Sequence, residues 1–337
     1  RSLYSVNLHS RTGMHVLVKL LDIKASNNDE LYNGTFNYPW HEWITAEDTI
    51  FIRSRGRSQY FDNPQFVSLK VKDAIVDRIR KKTGSRPDVD KVNPRYSLFL
   101  FIFEDKVSIY LNSTGSSLYK RGYREKIHKA SINEALAAGI ILLSGWKPDQ
   151  PFYDPMCGSG TFPIEAALIG RNIPAGYYRK GYAFQKWHYF ENKLWNQIMI
   201  EARENILHER LSIFGYDNIS ANIKLSTANS RRILIHNYVR FKKAELNDFH
   251  PDEPGVIIMN PPYGERLGEE SELDTLYQLI GDVLKTNCHD SNAFIFSGNP
   301  HLAKYIGLKP QTKVALKNSK IDCRLLQFPI RHGKYAD

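Results

Sequence analysis

The chain has 337 residues, 42% apolar and 24% charged, an ordinary globular balance with room for two domains. No apolar run reaches the roughly 18 residues of a membrane span. The opening RSLYSVNLHS lacks the apolar core of a signal peptide, so no membrane partner is expected. Cys157, Cys288 and Cys323 are scattered without a CxxC pair, which argues against a disulfide framework or a zinc site and fits a reducing cytoplasm.

The net charge of +10 is uneven: residues 1–130 hold 22 Lys and Arg against 14 Asp and Glu, and the remainder 24 against 22. A basic leading segment is the electrostatic footprint of a nucleic-acid partner, with a merely solvated basic face as the alternative. The candidate phosphate contacts are Arg53, Arg55, Arg57, Lys81, Lys82, Arg121 and Arg124. A chain that opens on Arg1 leads us to expect upstream residues and an N-terminally incomplete first domain.

In chain order, MHVLVKLLDI (14–23) reads as a strand. FVSLKVKDAIVDRIRKK (66–82) has largely a helical apolar period, with a basic exposed face. SLFLFIF (97–103) and KVSIYL (106–111), flanking Glu104 and Asp105, read as a β-hairpin. Residues 116–130 are polar and basic without apolar period, and are expected to link two domains. Ser131 and Glu134 form an S-x-x-E capping box ahead of ALAAGIILLSGW. Strands are then predicted at 151–153, 211–216, 238–244, 255–259 and 292–297. Helices are predicted between them at 161–170, 191–208, 220–236 and 271–287. This alternation predicts a doubly wound α/β sheet behind a smaller α+β domain.

Two stretches carry chemistry. In PFYDPMCGSGTFPIEAALIG (151–170) a strand ends at Asp154, a small-residue turn follows, and a helix begins near Thr161. Glycines at such a turn let a ligand approach the backbone. No lysine follows as in a P-loop, and Asp154 would repel a phosphate, so the ligand is expected to be cationic or zwitterionic. Asp217 ends the next strand, where an acid can hold ribose hydroxyls. Glu245 and Asp248 end the third strand, and either could accept from an adenine amino group.

In GVIIMNPPYGERLG (255–268) an apolar strand runs into Asn260, Pro261, Pro262 and Tyr263. The amino group of a nucleobase is a poor nucleophile because its lone pair is delocalised into the ring. The Asn260 side-chain oxygen and the Pro261 carbonyl can hold its two hydrogens, the prolines fix φ, and Tyr263 offers a stacking face.

DPMCGSGT (154–161) and NPPYGERL (260–267) resemble two motifs of class I S-adenosylmethionine-dependent methyltransferases acting on amino groups. The wider run from YKRGYREKIHKA to GRNIPAG, with LKVKDAIVDRIRKKTGSRPDVD (69–90), resembles the THUMP-domain-containing 23S rRNA guanine-N2 methyltransferases, from NLHSRT (7–12) to NSKIDCR (318–324). The resemblance implies a Rossmann-like catalytic domain at 131–337, a THUMP-type RNA-binding domain at 1–115 and a linker at 116–130. It implies S-adenosylmethionine bound by Asp154, Met156, Gly158, Ser159, Gly160, Thr161 and Glu165, with Asp217 on the ribose and Glu245 by the adenine. Asn133 and Glu134 would lie at the methionine end, Asn260 through Tyr263 would hold the base, and Cys157 would be a small loop residue. Because the chain ends soon after IDCRLLQF, the resemblance implies a single catalytic domain. The substrate it implies is rRNA, with tRNA as the alternative. A DNA adenine-N6 methyltransferase and a non-catalytic RNA-binding protein are the remaining readings.

Overall fold

The computed structural model describes residues 1–124, 132–263 and 270–332. The chain divides into two compact units. The first holds α1 (Ser2–His9) up to Leu8, β1 (Leu17–Lys24), α2 (Asn28–Asn37), β2 (Thr49–Arg57), α3 (Pro64–Thr83), β3 (Asp88–Val89), β4 (Tyr96–Phe103) and β5 (Lys106–Asn112). Its sheet has the order β1-β5-β4-β2-β3. β4 is antiparallel to β5 and parallel to β2.

The long helix of this unit shows why the sequence was readable here. Asn63 caps it by accepting from the Gln65 N–H at 2.8 Å, Pro64 takes the first turn, and Gly84 closes it at φ +80°. Val67, Val71, Ile75 and Ile79 repeat every fourth residue and are buried in one core with Leu98, Leu100 and Ile102 of β4. Each such aliphatic side chain contributes on the order of 1.5–3 kcal/mol. The strand β2 was not predicted. Its second half alternates Arg53, Arg55 and Arg57 outward, so it lacks the apolar run of a central strand although it sits between β4 and β3.

The second unit holds α4 (Glu134–Ser144), β6 (Phe152–Asp154), α5 (Thr161–Gly170), part of α6 (Asn192–Glu204), β7 (Ile213–Asp217), α7 (Ser220–Arg232), β8 (Arg240–Lys243), β9 (Val256–Met259), α8 (Glu270–Asn287), β10 (Asn292–Ser297), β11 (Thr312–Asn318) and β12 (Ile321–Pro329). The strand order is β11-β12-β10-β9-β6-β7-β8. The five strands from β10 to β8 are parallel, and β12 and β11 add antiparallel at one edge. Phe152, Ile258 and Phe294 pack on one face of the sheet, and Tyr153, Ile257, Met259 and Ile295 on the other. Both faces are covered, so the central strands read as unbroken apolar runs. The edge hairpin was not predicted, because β11 (TKVALKN) is largely exposed and carries Lys313 and Lys317.

The domain boundary differs from the sequence expectation. Residues 179–199 pack with the first unit, and residues 9–12 and 119–124 with the second. An aromatic cluster accounts for the return: Tyr4 stacks on Phe184 at 4.6 Å between ring centroids and meets Trp195 edge-on. Partners 180 residues apart leave no periodic signal. Ser131 of the expected capping box lies outside the described residues. The side chain of Asn133 caps α4, accepting from the Leu136 N–H at 2.8 Å.

Candidate active site

The site lies at the carboxyl ends of β6, β7 and β9, where ligands bind in open parallel sheets. Asp154, Met156, Gly158, Ser159, Thr161 and Asn260 line a cavity of about 250 Å³. Met156 also lines a second cavity of about 190 Å³ with Asp217 and Glu245. A hydrogen bond joins the two, the Gly158 N–H donating to Asp217 Oδ2 at 2.9 Å. Asp248 is not among the residues lining the second cavity, so of the two acids Glu245 is the one positioned there.

Gly158 and Gly160 serve different needs. Both have positive φ, +52° and +81°. Gly158 faces open space, leaving the backbone bare to the cleft. At Gly160 an added Cβ would lie 2.7 Å from Ser226 Cβ and 2.9 Å from Phe241 Cζ, so this glycine packs under the loop instead of lining the cleft. Gly160→Ala is expected to destabilise the protein by roughly 1–3 kcal/mol, read as a lower denaturant midpoint at unchanged slope. An unchanged midpoint would contradict this packing.

Asp154 is buried, and its Oδ1 accepts from the Met156 N–H at 3.2 Å. Burial pushes its carboxyl well above the usual carboxylate range, and Asp217 adds to the effect. Asp217 is held by Gly158, by the Ile219 N–H at 2.9 Å and by Asn222 Nδ2 at 3.0 Å. Cys157 is buried, which raises its thiol well above the ordinary value and leaves it a small loop residue without thiolate character.

At the tip of β9, the Oδ1 of Asn260 is buried and has no hydrogen-bond partner among the described residues. A buried amide oxygen left open costs free energy unless a ligand fills it. Pro261 is buried and Pro262 half-buried. Tyr263 is half-buried, edge-on to Phe296, and its hydroxyl receives a hydrogen bond from Asn318 Nδ2 at 2.9 Å. Burial raises the Tyr263 phenol to about 12, so it stays protonated near neutrality. Asn318 belongs to the unpredicted strand β11, and its only trace in the sequence is its place in NSKIDCR.

Four expectations change. Arg121 and Arg124 are not exposed phosphate contacts. Arg121 is buried and faces Glu165, its Nε 3.4 Å from Oε1. Arg124 is nearly buried, 3.6 Å from Glu134, and its Nη2 donates to Ile132 O at 3.0 Å and to Thr161 Oγ1. Both carry charge that the second unit consumes internally. Glu165 therefore lies behind the loop, bonded to Arg121 and to the Tyr123 hydroxyl at 3.2 Å, and lines neither cavity. Glu134 likewise sits behind the loop, and burial raises it to about 7 even with Arg124 nearby. Arg53, Arg55 and Arg57 alternate on one exposed face of β2, and Lys81 and Lys82 are exposed at the end of α3.

The model of the RMKL-like methyltransferase domain family matches residues 121–327. The chain belongs to this family. A THUMP domain model matches residues 25–112. Within the RMKL-like family, the chain is 36% identical over 98% of its length to the ribosomal RNA large subunit methyltransferase K/L of Syntrophotalea carbinolica, and covers 48% of that protein. It thus spans about half the length of that curated relative. The crystal structure of SMU.472 complexed with SAH superposes with a TM-score of 0.89 at 30% identity, covering 99% of this chain and 88% of that one. A Listeria monocytogenes protein named a predicted N6-adenine-specific DNA methylase superposes with a TM-score of 0.88 at 29% identity, covering 97% and 85%. Among the described residues no helix is long and apolar enough to cross a membrane.

Proposed function

We propose that this RMKL-like chain transfers a methyl group from S-adenosylmethionine to the N2 amino group of a guanine in RNA, with large-subunit rRNA as the substrate and tRNA as the alternative. The observation that carries this reading is the open Oδ1 of Asn260 beside the glycine loop. The residues present fit the cofactor: a buried acid at the cleft wall, a bare loop backbone, and two acids lining the adjoining cavity. When bound, the cofactor supplies a methyl group made electrophilic by its sulfonium. Asp154 would hold the ammonium, and Asp217 and Glu245 the ribose and adenine side.

The protein's own part is positioning. Asn260 Oδ1 and the Pro261 carbonyl accept the two amino hydrogens and aim the nitrogen lone pair. Tyr263, anchored by Asn318, offers a fixed ring for a guanine swung out of its stack. The N2–methyl bond forms as the sulfur–methyl bond breaks, and the surplus proton on N2 leaves to solvent. The THUMP domain supports RNA over DNA, and the exposed arginines of β2 offer charge for phosphate contacts. A cytoplasmic location fits that substrate and the three free cysteines.

The deciding experiment is transfer from labelled S-adenosylmethionine into total RNA lacking the modification, followed by nucleoside analysis. N2-methylguanosine in the large-subunit fraction is expected. N6-methyladenosine would overturn the guanine assignment, and label confined to tRNA would move the substrate.

Cofactor binding is also expected to release protons. Asp154, which lines the cleft, is raised, so the unliganded protein retains a proton that a bound ammonium displaces by favouring the ionised form. Affinity should therefore rise with pH as the Asp154 carboxyl ionises, and flatten once it has. Calorimetry at pH 6.5 in buffers of low and high ionisation enthalpy should give different apparent enthalpies. Equal enthalpies would mean that Asp154 does not take up the cofactor's charge.

A further inference from the structure

We infer that a basic groove beside the tip of β10 carries the phosphate backbone of the RNA strand next to the target guanine. This rests on the RNA-methyltransferase reading above. The groove has a volume of about 1250 Å³ and lies wholly in the second unit. Its floor is the β11–β12 hairpin, where the cross-strand pairs Lys313 with Leu326, Ala315 with Arg324 and Lys317 with Asp322 share one face. Its other wall is the 3-10 turn Leu302–Ile306 and the loop after it, which contribute Lys304 and Lys309.

The charge of this lining is not spent internally. Lys317 pairs with Asp322 at 3.2 Å, and Lys285 pairs with Asp282 at 3.2 Å. Lys304, Lys309, Lys313 and Arg324 are exposed, and no ion pair engages them among the described residues. Among the described residues that line the groove, Asp322 is the only carboxylate. Unpaired cations converging on one concavity fit a polyanion.

Its position selects the polyanion. Gly298 and Cys323 line the groove, and both touch Tyr263. A Cβ on Gly298 would lie 2.7 Å from Tyr263 Cε2, and Cys323 Sγ lies 3.8 Å from the Tyr263 hydroxyl. Asn260, three residues earlier, lines the cleft of the glycine loop. The segment 260–263 thus runs from the wall of the cofactor cleft to the end of the groove at Gly298, with Tyr263 itself outside the lining, on the Asn318 and Cys323 face of the hairpin opposite Lys313 and Arg324. A strand that leaves the groove past Gly298 crosses the edge of the sheet toward Tyr263 and the acceptor of Asn260, a course that serves a base and not an acidic peptide.

The test neutralises Lys309→Gln, Lys313→Gln and Arg324→Gln together, using an unmodified 23S rRNA transcript as probe. Three lost phosphate contacts should lower the slope of log affinity against log salt by about 2. The KM for the transcript should rise about tenfold or more with a near-normal single-turnover rate at saturating transcript, and cofactor affinity, which reports that the unit is folded, should stay unchanged. The comparison triple variant Lys193→Gln, Arg203→Gln, Arg210→Gln removes equal charge from exposed positions outside the groove. An equal loss of slope in that variant would reduce the groove to part of a diffuse field and overturn the proposal. Unchanged transcript binding in the groove variant, with weakened binding of polyglutamate, would assign the groove to an acidic protein instead. A wild-type protein that methylates tRNA but neither binds nor methylates the transcript would move the substrate, and the same slopes measured on tRNA would then decide the groove separately.

Discussion

Asn260→Ala should lower the single-turnover rate of methyl transfer on the order of 100- to 1000-fold, the usual cost of removing one preorganised hydrogen-bonding group from a reacting centre. The affinities for RNA and cofactor should change little, because the substitution removes an acceptor and almost no binding surface. The physical ground is the buried Oδ1, which has no partner among the described residues and lies at the edge of the cofactor cleft. A neutral amide can accept from an amino N–H without adding charge. Asn260→Asp keeps the acceptor and the size but adds a charge beside Asp154, itself pushed upward by burial, and partial activity at best is expected. Tyr263→Ala differs in kind. It removes the ring that Asn318 anchors, so the apparent KM for RNA should rise as well as the rate fall. Rapid-quench methylation with saturating cofactor separates these effects. An unchanged rate in Asn260→Ala would remove amino-group positioning as the mechanism.

Glu165→Ala should cost about 3–5 kcal/mol of stability, the range for breaking a buried ion pair from one side. Glu165 and Arg121 are both almost wholly buried, and the Tyr123 hydroxyl donates to the same carboxylate. Arg11 feels its charge as well. The substitution leaves these guanidinium groups without the acid they surround. Glu165→Gln keeps the acceptor oxygen and loses only the charge, so its loss should be smaller. Replacing the pair together, Arg121→Met with Glu165→Leu, should recover much of the stability, since a buried pair is often matched by apolar side chains of similar volume. Denaturant midpoints of the four proteins test this. A Glu165→Ala variant as stable as the wild type would mean that the pair is solvated after all.

Particular residues show where the sequence was legible. The strands β6, β9 and β10 were readable because burial on both faces demands unbroken apolar runs, and α3 because its cap, its four-residue stripe and its closing glycine agree. The glycine loop and Asn260 were readable because a sharp turn at a strand end tolerates few residue types. The roles of Arg121, Arg124 and Glu165 were not. A buried arginine and a phosphate-binding arginine look the same in a sequence, and only the partner distinguishes them.

By itself, then, the sequence determined what local physics dictates: a basic leading domain, a doubly wound sheet, and the candidate site turns at its strand ends. Periodicity and turn geometry act over a few residues and leave their mark there. Only the tertiary structure decided which acids reach the cleft, which arginines are consumed inside the second unit, and that residues 179–199 return to the first. It also brought Asn318 to the Tyr263 hydroxyl across 55 residues of chain. Contacts between distant segments depend on how faces pack and which charges lose water together, and no local pattern records them.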